Sequence, residues 1–431
     1  MSVPSAAAPV RTWGVSSRAY QVGLVTLLSV NFGIVFFDRN ALGFLMPFVQ
    51  PELHLSDTQV GLFASALSLT WSCAAFGIGF VSDRTGSRKG LLVITTLVFS
   101  ACSFFSGIAW SFAVLLAARL LMGAAEGGIM PISQAIIAAE VRPGLRGLAM
   151  GVTQNFGSNL LGSFVAPVVL TAFAAAHGWR HAFYLAGIPG LVMALLIWWF
   201  LKEPQDESAP SAQRPVQHAA PAAAAAAAQP SVRAALAERN VVLCMLMAIV
   251  LVSYLVVCWQ FMPLYLTKVR HYDPGTESWL MGTLGISATV GAFVVSGLSD
   301  RIGRRPLMIA MPLIGVVLPL GALYYSGSVW VLAALFFVGW GLNGIFPLFM
   351  ATVPSESVDP HLRATVLGLC MGTGEVVGGV LSPTVAGFAA DRVGLAAAVW
   401  MMLAFAIGGF LLALGIRETA PRALARRAQA K

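Results

Sequence analysis

Two adjacent charged residues, Asp38 and Arg39, lie inside an otherwise apolar segment that runs from Tyr20 to Phe48. An ionised side chain at bilayer depth costs roughly 2.5–3.5 kcal/mol on insertion scales. A chain keeps such residues where they face a wet cavity, pair with one another or meet a charged ligand. The pair therefore predicts a polar site within a membrane, with one group that can hold a proton and one that stays charged.

Three more ionisable residues, Arg119, Glu126 and Glu375, fall well within predicted membrane spans. Arg39 is the better anion ligand, because its planar guanidinium can donate two parallel hydrogen bonds to a carboxylate. Asp38 and Glu126 are the candidates for carrying protons, because burial favours the neutral form of a carboxyl group. The alternatives are that Arg39 only neutralises an acid, and that each acid sits in a fixed salt bridge with Arg39 or Arg119.

Helix geometry separates several of these groups. Adjacent positions on a helix diverge by about 100°, so Asp38 and Arg39 cannot both point squarely at one place. Arg119 and Glu126 share one helical stripe but lie about 10 Å apart along its axis. Arg119 is therefore predicted to bond neighbouring carbonyl groups, while Glu126 faces the cavity. Four roles stay open for Glu375: a second proton site, a partner for a cationic substrate group, a neutral hydrogen-bond donor, or a structural acid.

Weaker candidates for substrate binding are polar and amphipathic side chains at membrane depth, which could equally join helices by hydrogen bonds. They are Gln154, Asn155, Asn159, Tyr254, Trp259, Gln260 and Asn343, together with Trp71, which could stack on an aromatic ring. The six histidines lie in loops or at span ends, and the five cysteines lie singly in apolar spans. The sequence thus predicts no metal and no cofactor, with the proton as the coupling ion.

The composition is that of a polytopic membrane protein. Of the 431 residues, 58% are hydrophobic and 10% are charged, whereas a soluble domain carries about 25% charged residues. Twelve apolar segments of about 20 residues predict an all-α membrane protein with twelve transmembrane helices. They cover residues 19–46, 58–81, 90–109, 112–138, 147–174, 181–201, 240–265, 277–298, 307–325, 329–353, 364–389 and 396–416.

Five regions follow from these segments. They are a cytoplasmic N-tail (1–18), a six-helix bundle (19–201), a cytoplasmic linker (202–239), a second six-helix bundle (240–416) and a cytoplasmic C-tail (417–431). Of the 26 basic residues, two lie within spans and four in odd-numbered loops, which leaves 20 in the tails, the linker and the even-numbered loops. This bias predicts cytoplasmic termini. It also explains the net charge of +8 better than nucleic-acid binding does.

The two bundles repeat each other at a shift of about 217 residues. The segment Val81–Arg88 (VSDRTGSR) falls on Leu298–Arg305 (LSDRIGRR), and Arg146 falls on Arg363. Parallel repeats of six spans place a substrate site near the membrane midplane, between the halves. The charges of the repeated loops are candidates for gating pairs that latch the halves together, although simple positive-inside anchoring would explain the arginines. These gating candidates are Asp83, Arg84, Arg88, Asp300, Arg301 and Arg304.

The segment Gly79–Lys89 (GFVSDRTGSRK) resembles the loop signature of the major facilitator superfamily between its second and third helices. Within that superfamily, Asp38-Arg39 and the GAAEGG segment Gly123–Gly128 resemble the anion:cation symporters, which include permeases for hexuronates, aldonates, phthalate and other organic acids. The spinster-like lipid transporters share a similar Asp-Arg pair and a glutamate on helix 4. Glu375 departs from the resemblance, because these symporters often carry a polar amide near this point.

The residues and the resemblance together predict a proton-coupled importer of an organic carboxylate that works by alternating access. With Arg39 as the cation of the pocket, a monocarboxylate is favoured, and aromatic acids and sugar acids both remain open. The alternative is a spinster-like lipid transporter or another exporter of amphipathic compounds. The chain lacks HExxH, GxSxG and GxxxxGK motifs, so no enzyme activity is predicted. We expect a monomer in a bacterial inner membrane, with the lipid bilayer, a small organic anion and the proton as partners.

Overall fold

The computed structural model describes residues 17–85, 87–142, 145–203, 232–359, 362–420 and 423. The predicted N-tail, linker and C-tail fall largely outside these ranges, as does the side chain of Asp83. The described residues form helices and connecting turns, with no strand among them. The prediction of an all-α membrane protein is confirmed.

Each predicted span corresponds to one helical stretch. We number these stretches α1 (Arg18–Glu52), α2 (Asp57–Thr85), α3 (Arg88–Gly107), α4 (Phe112–Glu140), α5 (Leu148–His177), α6 (Trp179–Phe200), α7 (Arg239–Lys268), α8 (Pro274–Ile302), α9 (Arg304–Tyr324), α10 (Val329–Glu356), α11 (Thr365–Val393) and α12 (Ala396–Leu414). Within the described residues, the eleven stretches other than α2 have the length and hydropathy of a membrane span. The 29-residue helix α2 takes the place of the predicted second span.

Several of these stretches leave regular α-geometry near the middle of the bundle. Helix α5 contains π-helical turns over Val152–Phe156 and Ser158–Val165, and α10 contains a 3₁₀ turn over Gly341–Ile345. A further π-helical segment, Gly374–Leu381, interrupts α11 and carries Glu375. Such π turns change the direction of side chains and occur frequently at functional sites.

The helix ends follow local capping chemistry. The hydroxyl of Ser17 accepts the backbone N–H of Tyr20 at the start of α1. Asp273 caps α8 just before Pro274, in the first-turn position where a proline costs no hydrogen bond. Hydrogen bonds from the side chain and backbone of Thr276 lower the pKa of the Asp273 carboxyl, because they favour its charged form.

Glycines let helices cross closely inside the first half of the chain, α1–α6. A Cβ atom at Gly157 on α5 would lie 1.9 Å from the backbone oxygen of Ser29 on α1. A Cβ atom at Gly127 on α4 would lie 2.3 Å from the backbone oxygen of Trp71 on α2. Small residues of this kind allow backbone contact between membrane helices. The second crossing places the backbone of Trp71 against Gly127, the residue that follows Glu126.

The two halves, α1–α6 and α7–α12, meet mainly through the helix pairs α1 with α7, α2 with α11, and α5 with α8, with a smaller contact between α2 and α7. The larger hydrophobic cluster continues across this interface, from Phe44 on α1 to Phe261 on α7. A Cβ atom at Gly61 on α2 would lie 2.1 Å from the backbone oxygen of Pro383 on α11. The halves are therefore in tight contact near the loops that follow α1, α7 and α11. We call this the odd-loop end of the bundle.

Candidate functional site

The guanidinium of Arg39 lies at the edge of a charged cluster in the first half. Its Nη1 is 3.8 Å from Oε2 of Glu126, whose side chain is fully buried, while 17% of the Arg39 side chain is exposed. The aromatic rings of Trp71 and Phe36 flank the guanidinium, with centroids 5.3 Å and 5.7 Å from its carbon. Arg39 is thus positioned by aromatic contacts and by an acid, and it is the accessible end of the cluster.

The contact between Arg39 and Glu126 is longer than a hydrogen bond, which spans about 2.7–3.2 Å. Both carboxyl oxygens of Glu126 lack a hydrogen-bond partner among the described residues. An unbonded acid inside a protein is costly, because it has lost its water without gaining a donor. The carboxyl oxygens of Glu126 are therefore unbonded acceptors next to the N–H donors of Arg39.

Asp38 points away from Arg39, as the helix geometry predicts. It is fully buried, and its Oδ1 accepts a 2.6 Å hydrogen bond from the hydroxyl of Ser103 on α3. Its Oδ2 has no partner within the part of the chain that the structure describes. The predicted alternative of a salt bridge between Asp38 and Arg39 is wrong here, since Arg39 pairs with Glu126 and Asp38 with Ser103.

Arg119 lies behind these groups, buried in α4. Its Nη2 donates a 2.8 Å hydrogen bond to the hydroxyl of Ser106, and its guanidinium lies 5.6 Å from the ring centroid of Phe183. Its observed partner is thus a hydroxyl, whereas the sequence predicted neighbouring carbonyl groups. Arg119 also interacts electrostatically with Asp38 and Glu126. The charge of Arg119 therefore acts on two buried acids, Asp38 and Glu126. As predicted, no direct ion pair between Arg119 and Glu126 is present among the described residues.

Glu375 brings an acid from the second half to this site. It is half-buried on α11, and its Oε2 would lie 3.2 Å from a Cβ atom at Gly379. The same Cβ position would lie 3.6 Å from Oγ of Ser68 on α2. Arg39 and Glu375 interact electrostatically, without an ion-pair contact between these two described residues. The carboxyl group of Glu375 therefore lies at the interface between the halves, near Ser68, which is one helical turn from Trp71 on α2.

The remaining candidates divide into two groups. Trp259 contacts the interface, since its ring packs edge-on against Phe44 of α1, with centroids 5.8 Å apart. Tyr254 is buried within the second half, and its hydroxyl donates to the backbone oxygen of Gly315 over 2.9 Å. Tyr254 lines a small cavity in that half together with Asn343.

On α5, Gln154 and Asn159 are half-buried, and the exposed Asn155 donates to the backbone oxygen of Gly151 over 3.1 Å. Gln260 is buried on α7 and donates across the interface to the backbone oxygen of Val60, over 3.2 Å. Substrate contact by these residues stays a prediction.

One buried acid was missed by the sequence analysis. Glu277, in the first turn of α8, is fully buried, and both its carboxyl oxygens lack a partner among the described residues. It is the first residue of the predicted eighth span, 277–298, and so was not among the charges selected for lying well within a span.

The odd-loop end is closed by an aspartate that caps a helix of the other half. Asp391 on α11 accepts the backbone N–H groups of Asp57 and Thr58 on α2, over 2.7 Å and 2.9 Å. The hydroxyl of Thr58 donates to the same carboxylate over 2.5 Å. The sequence analysis missed this contact, although Asp and Thr at the start of α2 are typical of a helix N-terminus.

A second connection links the same end of the halves. Nζ of Lys268, in the last turn of α7, donates to Oε1 of Gln50 on α1 over 2.7 Å. The amide nitrogen of Gln50 then donates to Oδ1 of Asp57 over 2.7 Å. The hydroxyl groups of Ser65 and Thr384 share a 2.7 Å hydrogen bond deeper along α2 and α11. The halves are thus joined by charge and hydrogen bonds as well as by apolar packing.

Two of the predicted gating charges of the second half, Asp300 and Arg304, pair with each other within that half. Nη1 of Arg304 lies 2.5 Å from Oδ1 of Asp300, and its Nη2 lies 3.2 Å from Oε1 of Glu356. Glu418 accepts the backbone N–H of Arg304 over 2.8 Å and so caps α9. The side chain of Arg88 contacts the backbone oxygen of Ala135 over 3.5 Å in the first half. The latch between the halves stays a prediction for all six gating candidates: Asp83, Arg84, Arg88, Asp300, Arg301 and Arg304.

We expect Asp391→Ala to shift the chain toward a state that is open at the odd-loop end. Loss of a helix-capping side chain costs about 1 kcal/mol, so the separated population should rise about fivefold. Spin labels at Pro51→Cys and Val393→Cys, in a Cys73→Ser background, would report the distance between the halves by pulsed electron resonance. The other four cysteines are buried.

Asp273→Ala is the matched control, because Asp273 caps α8 within its own half. It should leave the label distances unchanged. Equal distance distributions in Asp391→Ala and the parent protein would show that the cap does not hold the halves together.

Comparisons with known proteins give the class of the molecule. A model of the Major Facilitator Superfamily matches residues 28–375 and 278–431. The chain belongs to the Major Facilitator Superfamily, as the loop signature predicted. It is 27% identical over 424 residues to a probable sulfoacetate transporter of Cupriavidus necator, with 93% of each chain covered. It is also 27% identical over 409 residues to a hexuronate transporter of Bacillus subtilis, with 91% of each covered.

Solved structures share the fold. A bacterial homologue of the human lysosomal transporter Spinster, in an inward-facing and unoccupied conformation, superposes with a TM-score of 0.73. The alignment covers 93% of this chain and 98% of that one, at 17% sequence identity. This likeness confirms the architecture of twelve helices in two six-helix repeats.

Proposed function

We propose that the protein is a symporter that carries an organic carboxylate together with protons, by alternating access. The observation that carries this proposal is the state of Arg39. Its guanidinium is oriented by Trp71 and Phe36, keeps 17% exposure, and makes no hydrogen bond to another described residue. A fixed, partly desolvated guanidinium with free N–H donors suits a carboxylate.

Glu126 and Asp38 are the proposed proton carriers. Both are buried carboxyl groups with at least one unbonded oxygen, and both interact electrostatically with Arg119. Glu126 pairs with Arg39, so protonation of Glu126 would leave the guanidinium to the substrate. Asp38 is buried in the first half and bonded to Ser103, and its proton affinity would respond to the charge of Glu126. Deprotonation on the inner side would restore the pair and expel the anion.

The relatives support an organic acid as the substrate. The names of the similar proteins include transporters of sulfoacetate, hexuronate and 3-(3-hydroxy-phenyl)propionate, each of which carries a negative charge at neutral pH. A monocarboxylate, an aromatic acid or a sugar acid fits one accessible cation. The lipid-exporter alternative has in its favour the fold shared with the Spinster homologue and the resemblance of its Asp-Arg pair and helix-4 glutamate, but the names of the similar proteins favour an organic acid.

The two ends of the bundle have different proposed roles. The odd-loop end, closed by Asp391 and Lys268, would be the outer gate. The opposite end carries the charges around Arg304 and Asp300, which would latch the halves when the outer gate opens. In this proposal both termini are cytoplasmic, and the protein works as a monomer in a bacterial inner membrane.

Uptake into proteoliposomes under an imposed pH gradient tests the proposal. We expect a radiolabelled monocarboxylate, such as benzoate or gluconate, to accumulate when the outside is more acidic, because inward proton movement drives the anion. Collapse of the gradient with a protonophore should reduce the internal concentration to equilibrium. Uptake of every carboxylate tested at a rate indifferent to the gradient would rule out the symport.

A further inference from the structure

The site contains one charged group from the second half that the proposed transport cycle does not use. Glu375 lies at the interface, with its carboxyl group beside Gly379 and near Ser68 of α2, one helical turn from Trp71, whose ring packs on Arg39. A substrate whose carboxylate binds Arg39 would bring its far end toward this second acid. The chemistry of Glu375 therefore determines what the far end of the substrate can be.

Two glycines of α11 determine where the Glu375 carboxyl group can lie. A Cβ atom at Gly379 would lie 3.2 Å from Oε2 of Glu375. The carboxyl group can therefore occupy this position because Gly379 has no side chain. A Cβ atom at Gly378 would lie 2.6 Å from the backbone oxygen of Ile249, which fixes this part of α11 against α7. The π-helical segment Gly374–Leu381 thus carries Glu375 on a backbone that packs against α7 at Gly378 and lies near α2 at Gly379.

We propose that Glu375 is a specificity-determining residue that selects carboxylates bearing a hydrogen-bond donor at the far end and rejects dicarboxylates. This inference rests on the proposed binding of a carboxylate by Arg39. The oxygens of Glu375 accept a hydrogen bond from a hydroxyl, phenol or amino group. A second carboxylate there has no proton to donate, and meets another acid at close range in a partly desolvated site.

Three probes with the same ring test the selectivity: benzoate, 4-hydroxybenzoate and terephthalate, which place hydrogen, hydroxyl and carboxylate at one position. Their binding to the purified full chain would be measured by calorimetry. We expect the wild type to bind 4-hydroxybenzoate about tenfold more tightly than benzoate, as for a hydrogen bond to a charged acceptor. Terephthalate should bind at least about tenfold more weakly than benzoate.

The variant Glu375→Gln should bring terephthalate to within about threefold of benzoate, because the amide donates to a carboxylate and carries no charge. Gly379→Ala keeps the charge of Glu375 but displaces its carboxyl group, so it should weaken the preference for 4-hydroxybenzoate in part. Glu238→Gln, at an exposed acid before α7, is the matched control and should keep the wild-type order.

Two failures are distinguishable. If benzoate binds, its binding is lost in Arg39→Ala, and the affinity ratios among the three probes in Glu375→Gln and Gly379→Ala equal those of the wild type, the role of Glu375 is overturned while the carboxylate site stands. If none of the three probes, nor gluconate or acetate, binds to the wild type, the carboxylate site and this inference fall together.

Discussion

We expect Arg39→Ala to abolish high-affinity binding of the carboxylate substrate. Truncation of one partner in a buried charge pair costs about 2–5 kcal/mol, so the dissociation constant rises about 30-fold or more. The expected loss has two causes: the substrate loses its guanidinium, and Glu126 loses the cation that lies 3.8 Å from its carboxylate. Calorimetric titration of the purified protein with the transported acid would measure the change.

Two companion variants separate these causes. Arg39→Lys keeps the charge but loses the planar fork, so it should retain part of the affinity. Arg392→Ala removes an exposed arginine at the end of α11 and should bind the substrate as the parent protein does. Unchanged affinity in Arg39→Ala would remove this residue from the binding site.

The second large effect is expected for Glu126→Gln. The amide cannot carry a proton, so the pH gradient loses its coupling to substrate movement, and accumulation should fall to an inside-to-outside ratio of about 1. Exchange of labelled for unlabelled substrate should continue, because it needs no net proton movement. Paired measurements of gradient-driven uptake and of counterflow in the same proteoliposomes would separate the two processes.

Glu238→Gln is again a suitable control, since it removes an exposed carboxylate outside the site. It should accumulate substrate as the parent protein does. Gradient-driven accumulation that persists in Glu126→Gln would assign the proton to another group. Asp38 would then be the first to test, because it is buried and interacts electrostatically with Glu126.

The two largest effects concern side chains that meet at one contact. The pair of Arg39 and Glu126 links anion binding to proton binding, because each partner is stabilised by the charge of the other. The neighbouring pair of Asp38 and Ser103 belongs to the packed interior of the first half. In the proposed cycle the substrate contacts the pair of Arg39 and Glu126. The proton affinity of Asp38, bonded to Ser103, then changes with the charge of Glu126.

Much of this architecture could be predicted from the sequence. The twelve spans follow from runs of about 20 apolar residues, because a membrane helix must cover the hydrocarbon core with its own side chains. The repeated Ser-Asp-Arg loops at Ser82–Arg84 and Ser299–Arg301 reveal the two halves. The divergence of Asp38 and Arg39 follows from the turn angle of a helix alone.

The partners of the charged groups could not be predicted in this way. Ser103 binds Asp38 across 65 residues of chain, and Asp391 caps α2 across 334. Such contacts depend on which helix faces which, and on how closely glycines such as Gly61 and Gly127 let backbones approach. Neither is encoded in the local pattern around either residue.

The sequence by itself determined that charges stay inside this membrane protein, because burying them is costly and every retained charge is conspicuous in an apolar span. Only the tertiary structure decided which groups each of these charges contacts. It assigned Arg39 to Glu126, placed Asp38 in the interior and brought Glu375 of the other half to the interface near Ser68. The physical reason is that the cost of a buried charge depends on its own residue type, whereas its compensation depends on groups that only folding brings within reach.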